Sequence, residues 1–248
     1  MGSTPRSLEM RQSDDFFRFP HTPHLEWLGE RAPRDDKVLS EREARALLDG
    51  AVVVEEKLDG ANLGFSIAAN GHLQLQNRSS YLAKPFAGQF GPLGQWLELH
   101  EEALLTGMST AVIVFGEWCA ARHSLTYSRL PDWFLLFDVY DQVADKFWST
   151  PRRNAMAVAL GLPVVPSLRC GRMSKPGLRD MLNQKTSEFS DGPLEGVVIR
   201  REDEQWLQAR AKLVRPDFTQ AIDAHWRSRR IEWNRRTFEN MAAAGLDA

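Results

Sequence analysis

A lysine that follows an apolar run and precedes a glycine turn constrains this chain more than any other feature. The β-branched residues 52–54 lead to Lys57, Gly60 lies three residues further on, and a second strand-like run covers residues 63–68. This pattern predicts two strands whose connection presents one amine to a pocket. An amine with the ordinary lysine pKa of about 10.4 is a poor nucleophile at pH 7 unless its surroundings depress that pKa. A plain Lys57–Asp59 pair on a hairpin turn explains the same residues.

The charge and cysteine content exclude several classes of protein. A net charge of −2 provides no global basic field, so any nucleic-acid surface must be local. Cys119 and Cys170 form no CxxC pair and are expected to be reduced thiols. No apolar run is long enough to span a membrane, and the polar residues 1–15 lack a signal-peptide core. We therefore expect a cytoplasmic protein without a membrane partner.

The apolar periodicities predict an α+β fold. Strands are predicted over residues 52–57, 63–68, 72–78, 111–118, 133–140, 194–201 and 205–214, and helices over 40–49, 93–105, 150–161 and 219–230. The strands mostly follow one another in hairpin succession, which favours antiparallel sheets over a doubly wound fold. No composition shift marks a boundary, so residues 1–218 are assigned to one domain and 219–248 to a C-terminal helical tail.

Local signals place the ends of these elements. Ser40 and Glu43 form a capping box, which predicts the start of the first helix. The pair Asn70-Gly71 is typical of a type I′ hairpin turn. Thr150 is expected to be the N-cap of the helix that begins at Pro151 and ends at Gly161.

The histidines give no clear metal or catalytic signal. His21 and His24 are potential ligands, but the prolines beside them favour turn residues. His123 has no identifiable partner in the sequence. The phosphate loop GxxxxGK[ST] and a GxGxxG after a strand are both absent.

Three later segments carry groups suited to phosphate chemistry. Glu117 ends a strand, Glu195 begins another, and Arg210 and Lys212 share one face of a strand because strand side chains alternate. Taken singly, the glutamates could be solvated strand ends and the two cations a solvent-facing stripe. Together with Lys57 they supply an amine, carboxylates for a hard cation such as Mg²⁺, and cations for phosphates.

These motifs, in this order from about Glu55 to Lys212, resemble the covalent nucleotidyltransferase superfamily of polynucleotide ligases and mRNA capping enzymes. The chain is most similar to the RNA ligase 2 type, which implies an ATP-grasp-like ligase domain with antiparallel sheets and flanking helices. The resemblance implies that Lys57 attacks the α-phosphate of ATP and carries AMP as a phosphoramidate.

The resemblance also assigns the remaining site residues. It implies that Lys57, Arg210 and Lys212 act in catalysis, that Glu195 holds Mg²⁺ or Mn²⁺, and that the nucleotide is bound by Glu56, Asn62, Arg78, Glu117 and Phe137. Phe137 would stack on adenine, although core packing in a strand explains a phenylalanine equally well. The partner implied is RNA with 5′-phosphate and 3′-hydroxyl ends.

Two departures from the family pattern leave alternatives open. Arg210 stands where the last motif usually has a lysine, and the extra C-terminal domain usual in such ligases has only residues 219–248 as a replacement. The basic stretch 225–236, with Trp226 and Trp233, is either a strand-binding surface or a docked amphipathic helix. The alternatives are a DNA ligase, a nucleotidyltransferase with another acceptor, or a non-catalytic nucleotide- or RNA-binding module. On the strand-binding interpretation, truncation before Thr219 spares self-adenylylation and impairs sealing.

Overall fold

The computed structural model describes residues 16–30, 37–221 and 231–237. The strands are β1 (Ala51–Lys57), β2 (Ala61–Ile67), β3 (Leu73–Gln76), β4 (Tyr81–Leu82), β5 (Val112–Trp118), β6 (Phe134–Asp141), β7 (Lys146–Phe147), β8 (Ser167–Arg172), β9 (Gly196–Glu202) and β10 (Leu207–Val214). The helices are α1 (Glu41–Leu48), α2 (Leu93–Gly107), α3 (Thr150–Leu160), α4 (Lys175–Gln184) and α5 (Pro216–Ala221).

Two antiparallel sheets are joined by the turn that follows Lys57. One sheet has the strand order β10-β9-β1-β8 and the other β4-β3-β2-β5-β6-β7. Because β1 belongs to the first sheet and β2 to the second, residues 58–60 cross between them. The predicted α+β fold with antiparallel sheets and flanking helices is therefore confirmed.

Helices cover one face of each sheet. Leu47 of α1 and Leu182 of α4 pack with Val54 of β1 in one core. Leu93 and Trp96 of α2 pack with Phe65 of β2 in another. Since side chains alternate along a strand, the side chains of Glu55 and Lys57 lie on the face of β1 opposite to that of Val54. On that face the two sheets approach each other.

An N-terminal strap, residues 19–25, crosses between the two sheets. Phe19 packs edge-to-face against Phe115, with ring centroids 4.9 Å apart, and Leu25 is buried in the core of the other sheet. The Lys212 amide donates to the Pro23 carbonyl at 2.8 Å. His24 forms bridges with Lys212 and Val38, so it lies in paired extended backbone rather than in the predicted turn.

The local signals were accurate except at two positions. The Ser40–Glu43 capping box is confirmed. The Asn70-Gly71 hairpin forms, but type I′ is wrong: of that pair only Gly71 has a positive φ, +82°, as in a three-residue loop. The N-cap of α3 is Ser149, because the Thr150 hydroxyl instead donates to Glu202 at 2.6 Å.

The chain termini test the remaining predictions only in part. Of the predicted helix 219–230, residues 219–221 belong to α5, and 222–230 lie outside the described residues, as do the polar residues 1–15. Segment 231–236 is not helical. Among the described helices, none has the length and apolar character that crossing a bilayer requires.

Candidate active site

Lys57 lies at the centre of the site and is held by Glu195. Its Nζ is 2.7 Å from Glu195 Oε1 and 2.8 Å from Oε2. Sheet register brings the two together, because Lys57 pairs with Gly196 across β1 and β9. A Cβ on Gly196 would lie 2.5 Å from the Leu213 carbonyl oxygen of β10. Only glycine therefore allows β9 and β10 to approach this closely at that position.

Three carboxylates, those of Glu195, Glu117 and Asp59, favour the charged form of the Lys57 amine. Burial disfavours its charge, but Glu195 and Glu117 outweigh that effect, and the pKa of Lys57 lies above its ordinary value. Burial in turn raises the pKa of Glu117 to about 7, and it raises that of Glu195 to about 7 although Lys57 opposes the shift. Without ligands Lys57 is therefore an ammonium ion, so the depressed pKa that a reactive amine needs is not present in this state.

The turn after Lys57 is clamped by the loop that follows β5, here called the clamp loop (residues 119–130). Asp59 Oδ2 accepts the amides of Ser124 at 2.6 Å and Leu125 at 2.8 Å. The Asp59 amide donates to the Tyr127 hydroxyl at 2.8 Å. A Cβ on Gly60 would lie 2.6 Å from the Trp118 carbonyl oxygen. Asp59 and Gly60 therefore fix the turn rather than form a surface hairpin.

A cavity of about 550 Å³ lies between the sheets. Eight of the nine predicted site residues line it: Glu56, Lys57, Asn62, Arg78, Glu117, Phe137, Arg210 and Lys212. The ninth, Glu195, contacts Lys57. The structure thus brings together every residue that the family resemblance assigned to the site.

Two buried acceptors of this cavity lack partners within the described part of the chain. They are Glu56 Oε1 and Asn62 Oδ1. The other oxygen of Glu56 accepts the Glu188 amide at 3.0 Å, and burial raises the pKa of Glu56. An unsatisfied buried acceptor costs about 1–3 kcal/mol, so a ligand that donates hydrogen bonds here would be stabilised.

Phe137 packs against core residues and also lies in the cavity wall. Its ring is half-buried and packs edge-to-face on Phe19, with centroids 5.3 Å apart. It also lines the cavity. The ring is thus supported by core contacts on one side and available to the cavity on the other.

Arg210 is held more tightly than a solvent-facing cation would be. It forms an ion pair with Asp138, and its guanidinium carbon is 4.4 Å from the ring centroids of both Phe19 and Phe147. Its side chain is only 9% exposed. For Arg210, the interpretation as a solvated stripe is wrong.

A buried ionic network, three of whose members also line the cavity, was not predicted. Arg200 Nη1 lies 2.7 Å from Asp138 Oδ1 and Arg153 Nη2 lies 2.6 Å from Glu55 Oε1. Arg200 also lies 3.8 Å from Glu55. These charges connect β1 and β9 of one sheet with β6 of the other. In the sequence three of these charges lie on separate strands and Arg153 on α3, and no local pattern links them.

Four more polar residues of the cavity wall were not assigned to the site. His21 and Thr22 come from the strap. His123 and Gln89 form a pair with His123 Nε2 2.8 Å from Gln89 Oε1, and burial lowers the pKa of His123. The partner that the sequence did not reveal for His123 is thus 34 residues away.

The donor set for a metal ion is sparse. Within the described ranges no group of three or more histidine, cysteine, aspartate or glutamate side chains is arranged to hold a metal ion. Glu195, which is buried, and Glu117, which is half-buried, nevertheless offer oxygen ligands. This arrangement fits an ion such as Mg²⁺, which keeps several waters and takes further ligands from substrate phosphates.

Comparison with known proteins identifies one family and one fold. A family model described as RNA ligase matches residues 50–214. The Naegleria gruberi RNA ligase with PPi is 17% identical, with a TM-score of 0.57, over 83% of this chain and 64% of that chain. A mutant of that ligase with ATP and Mn is 14% identical, with a TM-score of 0.59, over 82% and 57%.

At sequence identities of 17% and 14%, the structural similarity to these ligases establishes the fold alone. The chain spans less than two thirds of the length of those ligase chains. Among curated proteins, no sequence matches it.

Proposed function

The chain belongs to the RNA ligase family, and from this premise we propose that it is an ATP-dependent RNA ligase in which Lys57 carries AMP. One observation carries the proposal. The Lys57 amine lies in a cavity between two sheets, 2.7 Å from a buried carboxylate, with Arg210 and Lys212 in the same cavity wall. This combination supplies a nucleophile, a charged partner for it and cations for phosphates.

The proposed reaction begins when Lys57 Nζ attacks the α-phosphorus of ATP. The N–P bond forms as the bond from the α-phosphorus to the pyrophosphate oxygen breaks, and pyrophosphate leaves. The 5′-phosphate of an RNA end then takes the AMP and releases Lys57, and an RNA 3′-hydroxyl displaces AMP to form the phosphodiester. Lys57 must lose a proton before it attacks, and the oxygens of Glu195 are the nearest carboxylate acceptors, at 2.7 and 2.8 Å.

The other residues of the cavity suit a bound nucleotide. Glu56 and Asn62 have free acceptor atoms for donor groups of the base or ribose, and Phe137 offers a ring on which adenine stacks. Arg78 and Lys212 would bind phosphates. Arg210, already paired with Asp138, would shape the phosphate side of the cavity as well as contribute charge.

Mg²⁺ or Mn²⁺, held by Glu195, would neutralise charge on the phosphate oxygens as they react. Glu195 would then be shared between this ion and Lys57, which lies within 2.8 Å of both its oxygens.

The free thiols of Cys119 and Cys170 support a cytoplasmic location.

Incubation with α-labelled ATP and Mg²⁺ tests the function. We expect a covalent label on the protein and its release by nicked RNA but not by nicked DNA. Release by nicked DNA alone would identify a DNA ligase, and release by neither would point to another acceptor. A protein that binds ATP and never becomes labelled would be the non-catalytic binding module.

The labelling rate is expected to rise with pH. The pKa of Lys57 lies above its ordinary value, so the reactive neutral amine is scarcer at low pH. Glu195, with a pKa of about 7, also loses its charge as the pH falls, and with it the capacity to bind a cation. Above pH 7 the single-turnover rate at saturating ATP and fixed free Mg²⁺ should rise about tenfold per pH unit, as expected for one required deprotonation, that of Lys57. Below pH 7 the rate should fall more steeply, up to about a hundredfold per unit, because Glu195 must then lose a proton as well. A flat profile, with the fold intact at each pH, would contradict this assignment.

A further inference from the structure

The segment 231–237, here called the C-terminal segment, lies along the clamp loop. The Asn234 amide donates to the Ala120 carbonyl at 2.9 Å, and the Arg235 amide donates to the Tyr127 carbonyl at 3.0 Å. The Arg122 amide donates to the Glu232 carbonyl at 2.8 Å. These bonds give the clamp loop a backbone partner that comes from more than 100 residues further along the chain.

Asn234 places its side chain inside the clamp loop. The residue is 3% exposed. Its Oδ1 accepts the Tyr127 amide at 2.9 Å, and its Nδ2 donates to the carbonyls of Cys119 at 2.8 Å and Ala121 at 3.3 Å. One amide group therefore ties the beginning of the loop, directly after β5, to Tyr127 near its end.

The same loop holds the turn that follows Lys57. The Tyr127 hydroxyl accepts the Asp59 amide, and the amides of Ser124 and Leu125 bind the Asp59 carboxylate. Tyr127 is fully buried, so its hydroxyl cannot move without displacing the loop. A continuous series of hydrogen bonds thus runs from Asn234 through Tyr127 to Asp59, two residues beyond the reactive amine.

We propose that Asn234 is a positioning residue for Lys57: it sets the shape of the clamp loop and, through Tyr127 and Asp59, the direction in which the amine enters the cavity. This inference rests on the proposed function. Asn234 does not line the cavity and contributes no group to the reaction. Its effect is on how often Lys57 is aligned with the α-phosphorus.

Asn234→Leu tests the inference, because leucine has a similar volume and makes none of the three side-chain bonds. At a temperature well below unfolding, we expect the labelling rate at saturating ATP to fall about ten- to a hundredfold, as with other small misplacements of a reacting group. The ATP concentration for half-maximal rate should change less than about threefold, since the cavity wall is intact. The matched control is Glu232→Gln, which removes only the exposed pair with Arg122.

Tyr127→Phe is a second test variant, which removes the Tyr127 hydroxyl and keeps the buried ring. If Asn234 acts through Tyr127, the two substitutions are coupled, and the double variant loses less activity than the product of the single effects. Hydrogen exchange at the amides of Asp59, Ser124 and Leu125 should quicken in Asn234→Leu but not in Glu232→Gln. This readout does not depend on activity.

Three outcomes are decisive. An unlabelled wild-type protein would defeat the proposed function, while the exchange data would still test the Asn234 contacts. Normal labelling by a folded Asn234→Leu protein, or independent effects of the two substitutions, would overturn the inference. If Asn234→Leu fails to fold, Tyr127→Phe decides the matter, because the inference requires a slower labelling rate in that variant.

Discussion

Lys57→Ala is expected to abolish covalent labelling by α-labelled ATP, with a fall of about 10³-fold or more, as occurs when a nucleophile is removed. The cavity holds a second lysine, Lys212, but that residue lies on β10 with its backbone paired to the strap. Because Lys212 starts from a different strand, we do not expect its amine to replace one at the end of β1. The measurement is the amount of label that stays on the denatured protein.

The fold should survive the loss of Lys57. Its side chain is 26% exposed and contacts Glu195 rather than an apolar core, and a neutral Glu195 can replace the ion pair because its pKa is already about 7. Lys37→Ala is the matched control, since it removes an exposed lysine whose ion pair with Glu43 lies on the surface. Label retained by Lys57→Ala would show that the nucleophile lies elsewhere.

Glu195→Ala should have the second largest effect. A carboxylate that binds a metal ion acts mainly on the transition state, so we expect labelling to slow about 10²- to 10³-fold while ATP affinity changes less than about fivefold. The measurements are the single-turnover labelling rate and the ATP dissociation constant, both across a range of Mn²⁺ concentrations. Glu102→Ala, on the exposed face of α2, is the control.

The same variant separates two roles for Glu195. The substitution removes the Glu195 carboxylate, which is the strongest of the charges that keep the Lys57 pKa high. If Glu195 were no more than a counter-ion, labelling near pH 7 would therefore speed up. Equal losses of rate and of ATP affinity would instead make Glu195 a ground-state contact.

Three residues of the candidate site could be predicted from the sequence because they lie at or beside strand ends. Lys57 ends β1, Glu117 lies near the end of β5, and Glu195 directly precedes β9. Strand ends are visible as local changes from apolar to polar residues, and adjacent antiparallel strands bring such ends together. The family resemblance then identified the same positions as successive motifs of one enzyme family.

The unpredicted parts depend on pairings between distant residues. Strand β8 escaped detection because it is an edge strand, mostly exposed, with no clear alternation. Helix α4 was missed because Pro176 and Gly177 in its first turn are also typical of a loop. The ion pair of Asp138 with Arg200 joins residues 62 positions apart, and no local pattern encodes that contact.

Segment 231–237 changes one expectation. Truncation before Thr219 also removes Asn234 and with it the support of the clamp loop. We now expect such a protein to lose self-adenylylation together with sealing. Whether residues 222–230 bind RNA stays a prediction, since they lie outside the described residues. Trp233 is 46% exposed, so this residue is not one of the buried tryptophans that a docked helix requires.

The buried network of Arg153, Arg200 and Asp138 has a consequence for the rigidity of the cavity. The Phe137 carbonyl accepts Arg153 Nη1 at 2.8 Å, and the next residue, Asp138, binds both Arg200 and Arg210. The Phe137 backbone and the Arg210 guanidinium are thus held by the same few buried charges, and removing one partner of such a pair costs about 3–5 kcal/mol. We therefore expect this wall of the cavity to keep its shape whether or not a ligand is bound.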